Sequence, residues 1–202
     1  MTLGERVSRR LRYGKPIIVV SGLPRSGTSM LMNMLQDGGV GLLTDGIRRA
    51  DDSNPRGYFE YQPVKRLDKS DDLSWLPRAR GQAIKVISFL LTWLPETYDY
   101  RVIFMQRDLD EIIASQHQML ARQGLPNEAG DGRIREVYAD HLEQVARFLT
   151  SRRCFRRLPV AYRDVVGDPE SQARQISEFL DRRLDVARMA AVADRQLHRV
   201  RR

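Results

Sequence analysis

A glycine-rich loop between an apolar run and a helical pattern is the first part of this sequence that could do chemistry. The segment PIIVVSGLPRSGTSMLMNML, residues 16–35, predicts a buried strand, a loop and a helix. Gly22 and Gly27 have the spacing of the glycines of a Walker A loop and Ser29 stands at its hydroxyl position, but Thr28 replaces its phosphate-binding lysine. Backbone N–H groups and hydroxyls at a helix start bind anions. The loop therefore predicts a phosphate or sulfate site that lacks the clamp of a nucleotide kinase.

Four further cationic or hydroxyl side chains lie in or near segments that follow or end predicted strands. Arg25 lies in the loop itself, where it is the cation placed to compensate for the missing lysine. Arg107 follows the apolar run VIFM, and Ser115 comes eight residues later in a helical pattern. Lys85 is isolated inside the apolar run AIKVIS. Ligands of parallel sheets bind beyond the carboxyl ends of the strands, so we expect these side chains to converge there.

The elements that must position these residues alternate along the chain. Apolar runs predict strands at 17–20, 83–88, 101–105 and 158–162, and helical patterns cover 28–37, 108–123, 133–149 and 169–180. Asp168 and Pro169 have the types of an N-cap and a first helical residue. This alternation predicts an α/β fold, with a P-loop-type doubly wound parallel sheet flanked by helices in a single domain over residues 1–202.

The amino-acid composition restricts the class of ligand and the cellular compartment of the protein. The chain has 202 residues, 42% of them hydrophobic, and a net charge of +8; only four of its 34 basic residues are lysines. Arginine suits phosphate and sulfate oxygens, although charge alone does not separate a small polyanion from nucleic acid or a membrane surface. The single Cys154 excludes an intramolecular disulfide framework, and no apolar run predicts a signal sequence or a membrane span. We expect a cytoplasmic protein.

Two internal segments and the C-terminal segment do not fit the alternation of strands and helices. Residues 38–82 carry Gly, Asp, Asn and Pro with little periodicity, which predicts a functional insertion or a lid that shapes the binding pocket of a substrate. Residues 124–132 predict a mobile loop between two long helices. The terminal segment 196–202 is a basic tail that either closes over a ligand or frays.

The loop, read as P-[KR]-S-G-T-[ST], resembles the phosphosulfate loop of the sulfotransferases that use 3′-phosphoadenosine 5′-phosphosulfate (PAPS), and the chain is most similar to compact bacterial members. The resemblance covers about residues 16–182. It implies that Arg107 and Ser115 hold the 3′-phosphate, that Lys85 lies near the transferring sulfuryl group and that Tyr162 lies by the adenine. The residues implied for the phosphosulfate loop are Pro24, Arg25, Ser26, Gly27, Thr28 and Ser29, and Arg25 is also implied in catalysis.

The sequence departs from this pattern in two places. Cytosolic members of the family place a catalytic histidine two residues after the lysine, where this chain has Ile87, and the R-K-G element near their C-terminus is absent. The base must then come from elsewhere, and Glu60 is our candidate because carboxylates serve in related branches. Asp45 and Asp52 are weaker alternatives.

The prediction is therefore an enzyme that transfers the sulfuryl group of PAPS to a hydroxyl or amine acceptor and releases adenosine 3′,5′-bisphosphate (PAP). Two alternatives stay open: a P-loop nucleotide or adenylyl-sulfate kinase, and a noncatalytic module that binds the nucleotide. The three histidines show no metal-ligand spacing, so we expect no metal. The segment TSRRCFRRL, 150–158, is the best nucleic-acid patch but lacks interleaved aromatic residues, so we expect a solvated helix end and no nucleic-acid partner.

Overall fold

The four apolar runs form four parallel strands in one sheet. The computed structural model describes residues 3–48, 57–125 and 130–200; the side chains of 3, 5, 6 and 194–200 lie outside the description. In chain order, the elements are α1 (Leu3–Tyr13), β1 (Ile17–Gly22), α2 (Thr28–Asp37), α3 (Leu76–Ala79), β2 (Ala83–Lys85), β3 (Tyr100–Gln106), α4 (Leu109–Arg122), α5 (Asp131–Ser151), β4 (Phe155–Ala161), α6 (Tyr162–Gly167), α7 (Pro169–Leu180) and α8 (Val186–Val200). Two 3-10 turns cover Val64–Arg66 and Ser88–Trp93.

The central strands β1 and β3 are buried almost throughout because both faces of the sheet are covered. Alternate residues of a strand point to opposite faces. Ile17 and Val19 belong to a core cluster that includes Val145 and Leu149 of α5. Ile18 and Val20 belong to a second cluster, which is built with buried residues of α2, α7 and α8. A strand covered on both faces has mostly apolar residues on both of its sides, and not an alternation of apolar and polar residues.

The strand order is β2-β1-β3-β4. Strand β1 pairs with β2 on one side and with β3 on the other, with Ile18 opposite Ala83 and Arg101. The chain leaves β1 for α2 on one face, whereas the helices after β3 lead to α5 on the opposite face. This divergence is a topological switch point, and it opens a crevice beyond the ends of β1 and β3.

Several predicted boundaries shift. The second predicted strand, 83–88, ends at Lys85, because the chain forms a 3-10 helix from Ser88 to Trp93. The fourth predicted strand, 158–162, begins earlier, at Phe155, and ends at Ala161. Tyr162 is therefore the first residue of α6 and not the last residue of the strand. The segment 150–158 is consequently half strand. Helix α1 and most of α8 were not predicted, and α8 takes in residues 196–200 of the predicted tail.

The capping prediction is confirmed. Asp168 is the N-cap of α7, where its Oδ1 accepts a hydrogen bond from the Ser171 amide at 3.1 Å and Pro169 is the first helical residue. Asp108 caps α4 in the same way and accepts from the amides of Asp110 and Glu111. These caps fix where α4 and α7 begin relative to the strands that precede them.

Candidate active site

The loop after β1 owes its shape to its two glycines. Gly27 has φ 105°, and a Cβ there would lie 2.7 Å from the Tyr162 ring. At Gly22, with φ 152°, a Cβ would lie 2.6 Å from the Met105 carbonyl oxygen. Any larger residue at either position would push the loop away from its neighbours. The loop can therefore lie close to β3 and to the start of α6 only with glycine at both positions.

Helix α2 begins immediately after this loop. Gly27 is its N-cap, and among the described residues no side chain caps the first turn. The amide N–H groups of a first helical turn have no partner within the helix, and the helix dipole adds positive potential there. The beginning of α2 can therefore accept an anion.

Arg25 joins the loop to α4. It has φ 70°, a conformation that few residues other than glycine adopt, which is typical of functional loops. Its Nε donates to Ser115 Oγ at 3.1 Å, and its carbonyl oxygen accepts a hydrogen bond of 3.2 Å from Arg107 Nη1. Three residues that the sequence analysis assigned to one nucleotide site are thus in direct contact.

Arg107 follows β3 and faces Tyr162, which opens α6 after β4. The guanidinium carbon lies 4.4 Å from the Tyr162 ring centroid, and Arg107 Nε donates to Glu111 Oε2 at 2.7 Å. The fork is thereby oriented by a ring on one side and by a carboxylate one helical turn away. An arginine held in this way is suited to bidentate contact with a phosphate.

Lys85, the last residue of β2, reaches the loop from the other side. Its Nζ donates to Ser29 Oγ at 3.1 Å and to the Tyr58 carbonyl oxygen at 2.7 Å. Burial lowers the pKa of Lys85 to about 8; the Glu60 carboxylate opposes this shift, and the Arg48 and Arg25 cations add to it. The ammonium group is therefore mostly protonated at neutral pH and ready to share its proton.

Glu60 is held between two cations. Its Oε1 accepts a hydrogen bond from Arg48 Nη1 at 2.9 Å, and its Oε2 forms an ion pair with Lys65 Nζ at 2.5 Å. Burial acts to raise the pKa of Glu60, but the hydrogen bonds and charges of Lys65 and Arg48 outweigh it, so the pKa lies below its ordinary value. The carboxylate is ionised and firmly oriented, although it binds a proton less readily than an exposed glutamate.

The backbone around Glu60 is fixed by Thr44 and Asp45. Thr44 Oγ1 and the Asp45 amide both donate to the Glu60 carbonyl oxygen, at 2.9 and 3.2 Å. The Asp45 carboxylate accepts from the amides of Ile47 and Gln62, at 3.0 and 2.6 Å. Asp45 is therefore occupied in holding the segment and does not line the cavity described next. Asp52, the other alternative base, lies outside the described residues.

One cavity of about 730 Å³ brings most of the predicted site residues together at the carboxyl ends of β1, β2 and β3. Its wall includes Pro24, Arg25, Gly27, Thr28, Ser29, Glu60, Lys85, Arg107, Ser115 and Tyr162. Ser26 is the exception among the loop residues, because its hydroxyl is buried close to Gly22 and does not face the cavity. Among the described residues, no group of three metal-ligating side chains lies together.

The cavity also has lining residues that the sequence analysis missed. Glu111, Gln118 and Met119 are spaced at helical intervals around Ser115 on α4, so the placement of Ser115 could have predicted them. Arg48 lies in a nonperiodic segment, where no sequence signal indicates it; its guanidinium carbon lies 3.4 Å from the Tyr58 ring centroid. These residues widen the cavity beyond the phosphosulfate loop.

Comparison with known proteins identifies the class. A family model described as "Sulfotransferase family" matches residues 69–185, more than half of the chain. The chain therefore belongs to the sulfotransferase family. No curated protein matches it. The parallel sheet with flanking helices matches the fold of known sulfotransferase structures, which confirms the predicted fold class.

Solved structures show how far this similarity extends. Sulfotransferase STF1 from Mycobacterium tuberculosis H37Rv matches with 19% identity and a TM-score of 0.60 over 93% of this chain and 73% of that one. The sulfotransferase domain of the Synechococcus PCC 7002 olefin synthase matches with 16% identity and a TM-score of 0.56 over 88% of this chain and 77% of that one. Mouse sulfotransferase SULT7A1, complexed with PAP, matches with 18% identity and a TM-score of 0.52 over 89% of this chain and 62% of that one. At these identities the likeness concerns the fold.

Proposed function

We propose that this chain transfers the sulfuryl group of PAPS to a hydroxyl or amine acceptor. The observation that carries the proposal is the convergence of anion-binding groups from three strand ends in one cavity. The loop with Arg25 and Ser29 follows β1, Lys85 ends β2, and Arg107 follows β3. PAPS carries a phosphosulfate and a separate 3′-phosphate, and this wall offers a cationic group for each.

The charges and groups of the cavity fit such a nucleotide. Arg25, Arg48, Lys85 and Arg107 face Glu60 and Glu111, which leaves a cationic wall. The start of α2 and Arg25 would hold the 5′-phosphosulfate; Arg107 and Ser115 would hold the 3′-phosphate. Tyr162, beside Arg107, would contact the adenine. Mouse SULT7A1, which has the same fold, is complexed with PAP, and this supports a nucleotide of this kind as the ligand.

The chemical step assigns roles to two more residues. The acceptor oxygen or nitrogen attacks sulfur while the bond from sulfur to the bridging phosphate oxygen breaks, and that oxygen keeps the electron pair as PAP forms. Lys85 would donate a hydrogen bond to the bridging oxygen as its charge grows. The acceptor's proton would pass to the Glu60 carboxylate, which Arg48 and Lys65 keep ionised and aimed at the cavity.

One observation favours a second candidate, a P-loop phosphotransferase. The loop has Thr28 in place of its own lysine, yet Lys85 reaches Ser29 of that loop from the neighbouring strand. An ammonium group therefore does lie at the loop, where it could contact a nucleotide phosphate. The two candidates differ in the nucleotide they bind, because only the first requires a 3′-phosphate.

Thermal unfolding with different nucleotides tests the proposal. Ligand at a hundredfold over Kd adds about 2.7 kcal/mol, and for a chain of this size each kcal/mol raises Tm by about 2–4 °C. We expect PAP or PAPS to raise Tm by roughly 5–10 °C, and AMP or ATP with Mg²⁺ by far less. An equal or larger shift with ATP and Mg²⁺ would favour the phosphotransferase.

A further inference from the structure

Helix α1 presents two apolar side chains, Val7 and Leu11, to solvent instead of to the core. Val7 is 52% exposed and Leu11 is 83% exposed, although the helix lies against the protein. Residues four apart share one side of a helix, so Val7 and Leu11 form a single outward stripe. An amphipathic helix on a globular protein normally turns this stripe inward.

The polar side of α1 makes the contact with the protein. Arg9 Nη1 donates to the Arg153 carbonyl oxygen at 2.6 Å, and Nη2 pairs with the largely buried Asp99 and donates to the Cys154 carbonyl oxygen at 3.3 Å. Tyr13, one turn later, packs against the core. Arg9 lies two residues after Val7, about 200° around the helix. The anchor therefore points the Val7 and Leu11 stripe away from the protein.

Exposed arginines flank the stripe on both sides. Arg10 lies on one side of Leu11 and Arg12 on the other, and both are exposed. Arg153, whose carbonyl holds Arg9, adds a further exposed arginine from the basic segment that the proposed function does not use. We call Val7, Leu11, Arg10, Arg12 and Arg153 the α1 surface.

The α1 surface and the candidate active site lie at opposite ends of the strands of the sheet. Asp99 and Cys154 directly precede β3 and β4, so Arg9 anchors α1 at the amino ends of these strands. The cavity lies beyond the carboxyl ends. A strand of seven residues spans roughly 20 Å. These arginines are thus too far away to serve the nucleotide, and the cavity stays open when the α1 surface is covered.

We propose that the α1 surface docks on an anionic phospholipid bilayer, with Val7 and Leu11 inserted among the acyl chains and the flanking arginines at the headgroups. An apolar stripe bordered by arginines is the arrangement of an interfacial helix. Nucleic acid would use the arginines but leave the apolar stripe facing phosphates. A second copy of the chain would bring two arginine-bordered surfaces together, where like charges repel.

Vesicle co-sedimentation of the full chain tests the docking. We expect binding to phosphatidylcholine vesicles with 40% phosphatidylglycerol, and much weaker binding to pure phosphatidylcholine. Each arginine near an anionic surface contributes about fivefold in affinity, so Arg10→Gln/Arg12→Gln should weaken binding about 30-fold. Val7→Ser/Leu11→Ser should weaken it at least about tenfold, because two apolar side chains no longer leave water.

Matched variants elsewhere on the surface provide the controls. Leu125 and Val137 are 51% and 52% exposed, so Leu125→Ser/Val137→Ser removes similar apolar area away from α1. Arg183→Gln/Arg188→Gln removes two exposed charges. We expect the apolar control to bind vesicles as the wild type does and the charge control to lose only a few-fold. All four variants should keep the wild-type Tm, since the replaced side chains are exposed.

Three results would overturn the proposal. The first is equal binding to anionic and pure phosphatidylcholine vesicles, or vesicle binding that Val7→Ser/Leu11→Ser does not weaken. The second is RNA binding tighter than vesicle binding and insensitive to the same variant, which would assign the surface to nucleic acid. The third is a dimer in sedimentation velocity that this variant dissociates, which would assign it to a second copy of the chain.

Discussion

Arg25 and Ser115 are joined by a hydrogen bond of 3.1 Å from Nε to Oγ across 90 residues of sequence. In the proposed function, Arg25 holds the 5′-phosphosulfate and Ser115 the 3′-phosphate, so this bond connects the two ends of the nucleotide site. Arg107 completes the connection by donating to the Arg25 carbonyl oxygen. The two ends should therefore respond together to substitution.

A double-mutant cycle measures that coupling. Arg25→Ala and Ser115→Ala should each weaken PAP binding, but the double variant should lose less than the sum of the two. Groups that share a hydrogen bond usually show interaction energies of about 0.5–3 kcal/mol. Calorimetric titration of PAP into the four proteins gives the value. Additive losses would mean that the two residues contact the nucleotide independently or not at all.

Arg107 should determine the preference for a 3′-phosphate. A hydrogen bond to a charged group contributes about 1.5–3 kcal/mol, so Arg107→Ala should lose roughly 10- to 150-fold in PAP affinity. AMP, which lacks the 3′-phosphate, should lose much less. The ratio of PAP to AMP affinity is the decisive quantity, because a merely loosened loop would weaken both ligands alike.

Arg147 offers a matched control for Arg107. It pairs with Glu143 on α5 at the same i,i+4 spacing in reverse order, but it is exposed and lies outside the cavity. Arg147→Ala should leave both affinities unchanged. A loss of the PAP preference in this variant as well would point to a general charge effect and not to a phosphate contact.

Deprotonation of Lys85 should weaken nucleotide binding as the pH rises above about 8. Its pKa is about 8 in the ligand-free protein, so the ammonium loses its proton as the pH rises through this value. An anionic ligand favours the charged form and raises the pKa, so binding takes up a proton above pH 8 and the affinity falls by up to tenfold per pH unit. In Lys85→Met, PAP should bind more weakly and without this slope between pH 8 and 9.5. A slope that persists in the variant would assign the titration to another group.

Glu60→Gln should separate turnover from binding. Positioned proton transfer is worth about 10²–10⁴-fold, so turnover should fall by that factor while PAP binds as in the wild type. Because Arg48 and Lys65 hold the pKa of Glu60 below its ordinary value, wild-type kcat should not decline between pH 7 and pH 5 for lack of ionised base. Full activity in Glu60→Gln would exclude it as the base.

A structural effect of Glu60→Gln needs its own control. Loss of the carboxylate also breaks the pairs with Arg48 and Lys65, so the variant's Tm should be measured beside its activity. Glu143→Gln removes an exposed carboxylate that pairs with an arginine outside the cavity and should change neither quantity. If Glu60→Gln fails to bind PAP, the residue maintains the cavity and the base lies elsewhere.

The fold could be predicted from local patterns because the central strands β1 and β3 are buried on both faces. Four short apolar runs separated by helical patterns predicted the parallel sheet, and Asp168-Pro169 predicted the start of α7. The second strand was predicted too long because Val86, which is also buried in the core, continues the apolar run after the strand has ended at Lys85, before the 3-10 turn begins at Ser88. Helix α1 was missed because its apolar stripe is short and turned outward.

The candidate site was predictable where short motifs follow strands, and less so elsewhere. The loop, Arg107 and Ser115 converge as expected because each follows a strand of the same sheet. The positions of Arg48 and Glu60 depend on how residues 44–48 and 57–62 lie against each other, through bonds such as the one from the Gln62 amide to the Asp45 carboxylate, and no sequence period predicts these contacts. The two cations beside the Glu60 carboxylate and the packing of the adjacent Tyr61 against Trp75 were likewise not predictable from the sequence.

Sulfuryl transfer itself is the most direct test of the central claim. The protein is incubated with ³⁵S-labelled PAPS and pools of hydroxyl and amine acceptors, and labelled product and PAP are quantified together. The account predicts that PAP appears in equal amount to a labelled acceptor, and that Lys85→Met reduces both in parallel. Tight binding of PAPS with no labelled acceptor from any pool, or transfer of phosphate from ATP in its place, would contradict it.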